Sequence, residues 1–136
     1  MKKILLDTNA YTAFKLGNEK VLKVLQHADE IGVSSIVLGE LLAGFSVGTK
    51  EKRNREDLNQ FLNAPRVRLL SVDDDTALFY AGIYKQLRKD GKPIPTNDLW
   101  IAAICMQHGY LLCSYDKHFT YVQGLFTCKQ LTDLLL

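Results

Sequence analysis

The sequence predicts an α/β domain built on a parallel sheet covered by helices on both faces. Short apolar runs recur along the chain, among them Lys3-Ile-Leu-Leu6 and Tyr110-Leu-Leu-Cys113, and longer segments with helical signals stand between them. A strand buried on both faces reads as a continuous apolar run, whereas a half-solvated strand alternates. Alternation of such strands with helices is the pattern of a parallel sheet. A chain of 136 residues holds one such domain, spanning residues 1–136.

The elements follow in order. Lys3–Leu6 is a buried strand ending at Asp7. Asn9–Leu16 and Asn18–Ala28 read as helices punctuated by Gly17. Gly32-Val33-Ser34 is a second short strand, and Ser34 or Ser35 caps a helix through Ile36–Phe45. Thr49–Leu62 is highly charged, with Leu58, Phe61 and Leu62 as its apolar positions, so it predicts an exposed amphipathic helix closed off by Pro65. Val67–Leu70 is the third strand. Asp73 or Asp74 caps a helix that runs to about Arg88 and stops near Gly91. Thr96 opens another, which stops at Gly109. Tyr110–Cys113 is the fourth strand, Leu125-Phe126 a brief fifth, and Lys129–Leu136 a closing helix.

Composition narrows the class. Apolar residues make up 47% and charged residues 24% of the chain, as in ordinary globular proteins. No apolar run approaches the roughly 18 residues of a membrane span, and Met-Lys-Lys before a three-residue apolar run is not a secretory leader. The expectation is a cytoplasmic protein. Cys105, Cys113 and Cys128 match no zinc spacing, and their odd number argues against a disulfide framework, so reduced packing residues are expected. A net charge of +2 does not by itself mark a nucleic-acid binder.

In a parallel sheet the chemistry gathers beyond the carboxyl ends of the strands. Four acids meet that test. Asp7 follows the first strand, and Glu40 lies about a turn and a half into the helix after the second. Asp98 sits in the first turn of the helix opened by Thr96, and Asp116 is three residues past the fourth strand. Taken singly, Asp7 and Asp116 read as turn or capping residues and Asp98 as a favourable charge at a helix N-terminus. Glu40 is harder to assign a structural role, because it interrupts the apolar Ile36–Phe45 segment, where a charge is costly unless paired or metal-bound. Together, four carboxylates in one pocket repel unless a divalent cation neutralises them. Mg²⁺ and Mn²⁺ take oxygen ligands, and such ions activate water and polarise phosphates. The set fits phosphodiester hydrolysis. Asp73-Asp74-Asp75, by contrast, precedes a helix and reads as a cap.

These residues also carry a resemblance. Ile4-Leu-Leu-Asp-Thr-Asn9, Val37-Leu-Gly-Glu-Leu41, Pro95-Thr-Asn-Asp-Leu-Trp-Ile-Ala-Ala103 and Ser114-Tyr-Asp-Lys-His-Phe119 resemble, in order, the motifs of VapC-like PIN-domain ribonucleases. The resemblance spans nearly the whole chain. It implies a three-layer α/β/α sandwich with a mostly parallel sheet of four to five strands. It also implies a Mg²⁺- or Mn²⁺-dependent endoribonuclease, the toxin of a type II toxin–antitoxin pair, homodimeric or in a hetero-oligomer with a cognate VapB-like antitoxin. Asp7, Glu40, Asp98 and Asp116 match the acidic positions, with Thr8, Asn9, Asn97 and Ser114 as supporting residues. Ser114 stands where the family often has Thr, and the fourth acid is the most variable position of such sites.

The expected products are 5′-phosphate and 3′-hydroxyl ends, cut in structured RNA such as tRNA or rRNA loops. His27, His108 and His118 form no acid–base pair and are expected at the surface or at helix ends. Cations come in bursts at Lys50, Lys52, Arg53 and Arg55, at Arg66 and Arg68, and at Lys85, Arg88, Lys89 and Lys92. Such runs are solvated faces unless they border the acids, where they would hold an RNA backbone. Tyr11, Phe14 and Phe45 lie near two of the motifs, with Phe14 expected in the core. Leu41, Leu42 and Phe45 suit either the core or an antitoxin or dimer groove. Two other readings remain open, an RNA-binding module of the same fold with little turnover and a metal-dependent DNA nuclease. An aspartyl-phosphate phosphatase would want a second Asp where this chain has Asn9.

Overall fold

The computed structural model describes residues 2–134. Five strands form one fully parallel sheet: β1 (Lys3–Leu6), β2 (Glu30–Ser34), β3 (Val67–Leu70), β4 (Leu111–Cys113) and β5 (Thr127–Cys128). Their spatial order is β3-β2-β1-β4-β5. Six helices flank the sheet: α1 (Thr8–Lys15), α2 (Glu19–His27), α3 (Ser35–Ser46), α4 (Glu51–Leu62), α5 (Asp74–Asp90) and α6 (Thr96–His108). The result is the expected α/β/α sandwich. Ile4, Leu5, Leu112 and Cys113 of the two inner strands β1 and β4 are wholly buried, as apolar runs covered on both faces require.

The caps are largely those the sequence predicts. The Ser34 side chain accepts from the Val37 N–H to start α3. Asp73, not Asp74, caps α5 in a reciprocal box with Thr76, and α5 and α6 end at Gly91 and Gly109. β2 begins two residues earlier than expected, at Glu30, because its pairing with β1 starts at Lys3↔Glu30.

The C-terminal part differs from expectation. The fifth strand is Thr127–Cys128 rather than Leu125-Phe126, set by the register Leu112↔Thr127 and Cys113↔Cys128. Phe126 instead is exposed. The closing helix is a single 3-10 turn over Leu131–Leu134. Asp133 folds back to accept from the N–H groups of Lys129 and Gln130, and Leu134 is buried. The end of the expected helix, 135–136, lies outside the described residues. No described helix is long and apolar enough to cross a membrane.

Close packing leaves no room at Gly32 in β2. A Cβ there would stand 2.8 Å from Tyr110 Cε2, 3.0 Å from Leu5 Cδ1 and 3.1 Å from Leu70 Cδ1. The Tyr110 hydroxyl donates to Glu30, so its ring is not free to swing away. Overpacking such a site costs about 1–3 kcal/mol, so Gly32→Val is expected to lower stability by that amount in urea unfolding. A variant as stable as the parent would contradict this packing.

Candidate active site

The strand order places the site. From β1 the chain builds outward through β2 to β3, then returns through α5 and α6 to pair β4 on the other side of β1. The order therefore reverses between β1 and β4, and ligands of open α/β sheets bind at such a reversal, beyond the carboxyl ends of the strands. The Asp7 N–H donates to the Cys113 carbonyl at 3.0 Å, tying the two strand ends together at this crevice.

Asp7 is buried, at 5% exposure, and both its carboxylate oxygens are held. Oδ1 accepts from the Thr8 N–H at 2.9 Å, and Oδ2 from the Ser114 hydroxyl at 2.6 Å. Ser114 Oγ in turn accepts from the Asp116 N–H at 3.0 Å, so one hydroxyl joins the first and fourth acids. Glu40 projects from α3, where the Thr8 hydroxyl donates to its Oε1 at 2.7 Å and Asn97 Nδ2 to its Oε2 at 3.4 Å. Thr8 thus braces Glu40, the acid of a different segment. Asn9 accepts from the Tyr115 N–H at 3.1 Å and fixes the loop between the first and fourth motifs.

The electrostatics join the same acids. Burial pushes the Asp7 carboxyl above the ordinary carboxylate value, against the bonds from Ser114 and Thr8, and repulsion from Glu40 and Asp116 adds to it. Asp98 is pushed up to about 6, first by burial, then by Asp116 and Asp7, with His118 acting in the opposite direction. All four predicted acids therefore interact across one crevice. Asp98, Asp116 and His118 present donor atoms within 4.8 Å of one another. Converging oxygen donors at a ligand-binding crevice, two of which, Asp7 and Asp98, resist ionisation, fit a divalent cation.

A pH dependence follows. Asp98 binds its proton more tightly in the native chain than in the unfolded chain, whose carboxyl titrates near 3.8. Metal-free protein is therefore expected to lose stability as pH rises from about 4 to about 6, because the unfolded state releases the proton first. Thermal unfolding across that range, with Asp98→Asn showing a smaller decline, is the check.

His118 lies on a partly exposed turn, in keeping with the expected surface placement, but it stands beside two of the acids. Its Nδ1 lies 3.0 Å from Asp116 Oδ1 and 3.4 Å from Asp98 Oδ2. The Asp116 side chain caps a 3-10 turn over Lys117–Tyr121 by accepting from the His118 N–H at 2.9 Å, which puts both groups on one side of the turn. His27 and His108 match expectation, at the ends of α2 and α6.

The surrounding residues sort as follows. Tyr11 is buried, edge-on to Phe14 and Phe61, so it packs the core and offers no stacking face. Leu41 is also core, while Phe45 joins Leu16, Thr12 and Lys15 around an open cleft of about 220 Å³ between α1, α3 and α4. Arg66 donates to the carbonyls of Leu25 and Ala28, and Arg68 to that of Pro65, so both serve the structure. Lys92, over the Tyr121 ring at 4.9 Å, stands by the turn that carries His118. All three cysteines are free and buried.

This fold, with its acids at the β1–β4 reversal, agrees with comparison to known proteins. The chain matches the PIN domain over residues 4–125, and it belongs to that family. Within the family its relatives include Ribonuclease VapC2 of Haemophilus influenzae, 33% identical over 130 residues, which cover 93% of this chain and 97% of that protein. Ribonuclease VapC5 of Mycobacterium tuberculosis is 26% identical over 119 residues, 88% of this chain and 87% of that one. Among solved structures, VapBC2 from Rickettsia felis bound to a DNA fragment from their promoter aligns with a TM-score of 0.81 at 25% identity, covering 93% of this chain and 97% of that chain.

Proposed function

We propose that this chain is a divalent-metal-dependent endoribonuclease and the toxin of a VapBC-type pair. The observation that carries the reading is the convergence of Asp7, Glu40, Asp98 and Asp116, from four separate segments, at the reversal of the sheet. The ribonuclease names of its relatives and the toxin–antitoxin complexes among its structural neighbours support it.

Asp7, Glu40 and Asp98 would hold Mg²⁺ or Mn²⁺, and Asp116 would complete that site or a second one. Such an ion would supply Lewis-acid charge for the scissile phosphate and would lower the pKa of water at the site. The protein's own residues fix the donors. Ser114 orients Asp7 and, through the Asp116 N–H, the fourth acid, while Thr8 and Asn97 orient Glu40. Such supporting bonds set ligand geometry. Lys92 beside the turn suits the RNA backbone. No protein nucleophile is needed, so the expected products are 5′-phosphate and 3′-hydroxyl ends. Structured RNA with unpaired loops is the substrate class, since bases free of a duplex are the ones a protein reads.

The cleft lined by Leu16 and Phe45 is the expected seat of an amphipathic antitoxin helix. The exposed, adjacent Leu78 and Phe79 of α5 are the apolar surface that would be offered to a second copy. The test is incubation of purified chain with total RNA in Mg²⁺, Mn²⁺ or EDTA. Discrete cuts that need the metal are expected, and equal cutting in EDTA would overturn the reading.

A further inference from the structure

We infer that His118 is a direct nitrogen ligand of the metal centre, and that it biases this chain toward Mn²⁺-type ions over Mg²⁺. The inference rests on the metal-centre reading above and adds to it a ligand outside the predicted carboxylate set.

The geometry is that of a coordination edge. Two neighbouring oxygen or nitrogen donors on an octahedral ion, each about 2.1 Å away, stand about 3.0 Å apart. His118 Nδ1 is 3.0 Å from Asp116 Oδ1 and 3.4 Å from Asp98 Oδ2, and each of the three residues offers a donor atom within 4.8 Å of the other two. The ring is anchored through its backbone. The Asp116 cap fixes the His118 N–H, and the next residue, Phe119, is wholly buried. His118 itself is only partly covered, with 37% of its side chain exposed, which leaves space for an ion and its remaining waters.

Chemistry supplies the selectivity. Mg²⁺ prefers an all-oxygen shell and gives up its waters reluctantly, whereas an imidazole nitrogen adds affinity for first-row transition ions, least for Mn²⁺ and more for the later ones. A centre of carboxylates alone would discriminate weakly between Mg²⁺ and Mn²⁺. One imidazole in the shell tilts the balance.

The experiment is pulsed electron paramagnetic resonance of the full chain loaded with Mn²⁺, which detects nitrogen bound to the ion without reference to activity. The parent, His118→Gln and Asp7→Asn are compared, and calorimetry gives Mn²⁺ and Mg²⁺ affinities for each. Expected is an imidazole nitrogen coupling that His118→Gln removes. That variant should lose Mn²⁺ affinity by about tenfold or more while Mg²⁺ affinity moves by less than about threefold. Mn²⁺ that binds, depends on Asp7 and shows no nitrogen coupling would overturn the assignment of His118 and leave the carboxylate centre standing. Mn²⁺ that does not bind at all would overturn both.

Discussion

Asp7→Asn is expected to lower RNA cleavage by at least about 100-fold, because charge stabilisation at a metal-assisted phosphate is worth several kcal/mol and each 1.36 kcal/mol is tenfold in rate. The substitution keeps the shape of the side chain, and its fold should survive. The carboxylate it removes is buried and already resists ionisation, pressed by burial, Glu40 and Asp116. A neutral amide relieves that repulsion, so the metal-free variant should melt no lower than the parent. The two proteins should diverge once metal is added. A ligand that binds only the native state raises stability with its concentration, so Mn²⁺ should raise the parent's Tm and leave the variant's nearly unchanged. A variant that lost activity by unfolding would show a lowered Tm without metal, and that result would remove the catalytic assignment of Asp7.

The largest structural effect is expected at Phe119. It is the bulkiest of the fully buried side chains and follows directly on His118. Phe-to-Ala changes in cores cost about 3–5 kcal/mol through lost burial and the cavity left behind. Phe119→Ala should therefore lose that much stability in urea unfolding. It should also lose metal affinity under conditions where the chain remains folded, since the turn over Lys117–Tyr121 carries Asp116 and His118. Phe119→Leu, which keeps much of the volume, should restore most of both. A cost below about 1 kcal/mol for the alanine variant would contradict the anchoring role, being far under the core range.

Local signals and their limits explain which features were legible in the sequence. The acids Asp7, Glu40, Asp98 and Asp116 could be placed because each stands at a fixed offset from a strand or helix start, and strand ends of a parallel sheet share one edge. The helix caps at Ser34 and Asp73 announced themselves through side chains that accept from the backbone three residues on. β5 was misplaced by two residues because apolarity pointed to Leu125-Phe126, while a two-residue edge strand is defined by its pairing with β4. Pairing is non-local and leaves no mark on so short a run. The closing segment reads as helical by its leucines, yet Asp133 satisfies the N–H groups of Lys129 and Gln130 and tightens the chain into a 3-10 turn. Tyr11, close in sequence to the first motif, packs against Phe14 and Phe61. His118 was passed over because a single imidazole in a turn carries no local signal of a partner. Asp98, its second neighbour, is 20 residues away.

The most direct test of the central claim, a carboxylate-held metal cutting RNA by hydrolysis, is the chemistry of the new ends. Wild-type chain and Asp7→Asn are incubated with RNA in Mn²⁺, and both sides of each cut are sequenced by methods that distinguish phosphate from hydroxyl ends. The expected result is 5′-phosphates facing 3′-hydroxyls at discrete positions, absent from the variant. Cyclic or 3′-phosphates facing 5′-hydroxyls would mean that the RNA's own 2′-hydroxyl is the nucleophile, and would contradict it.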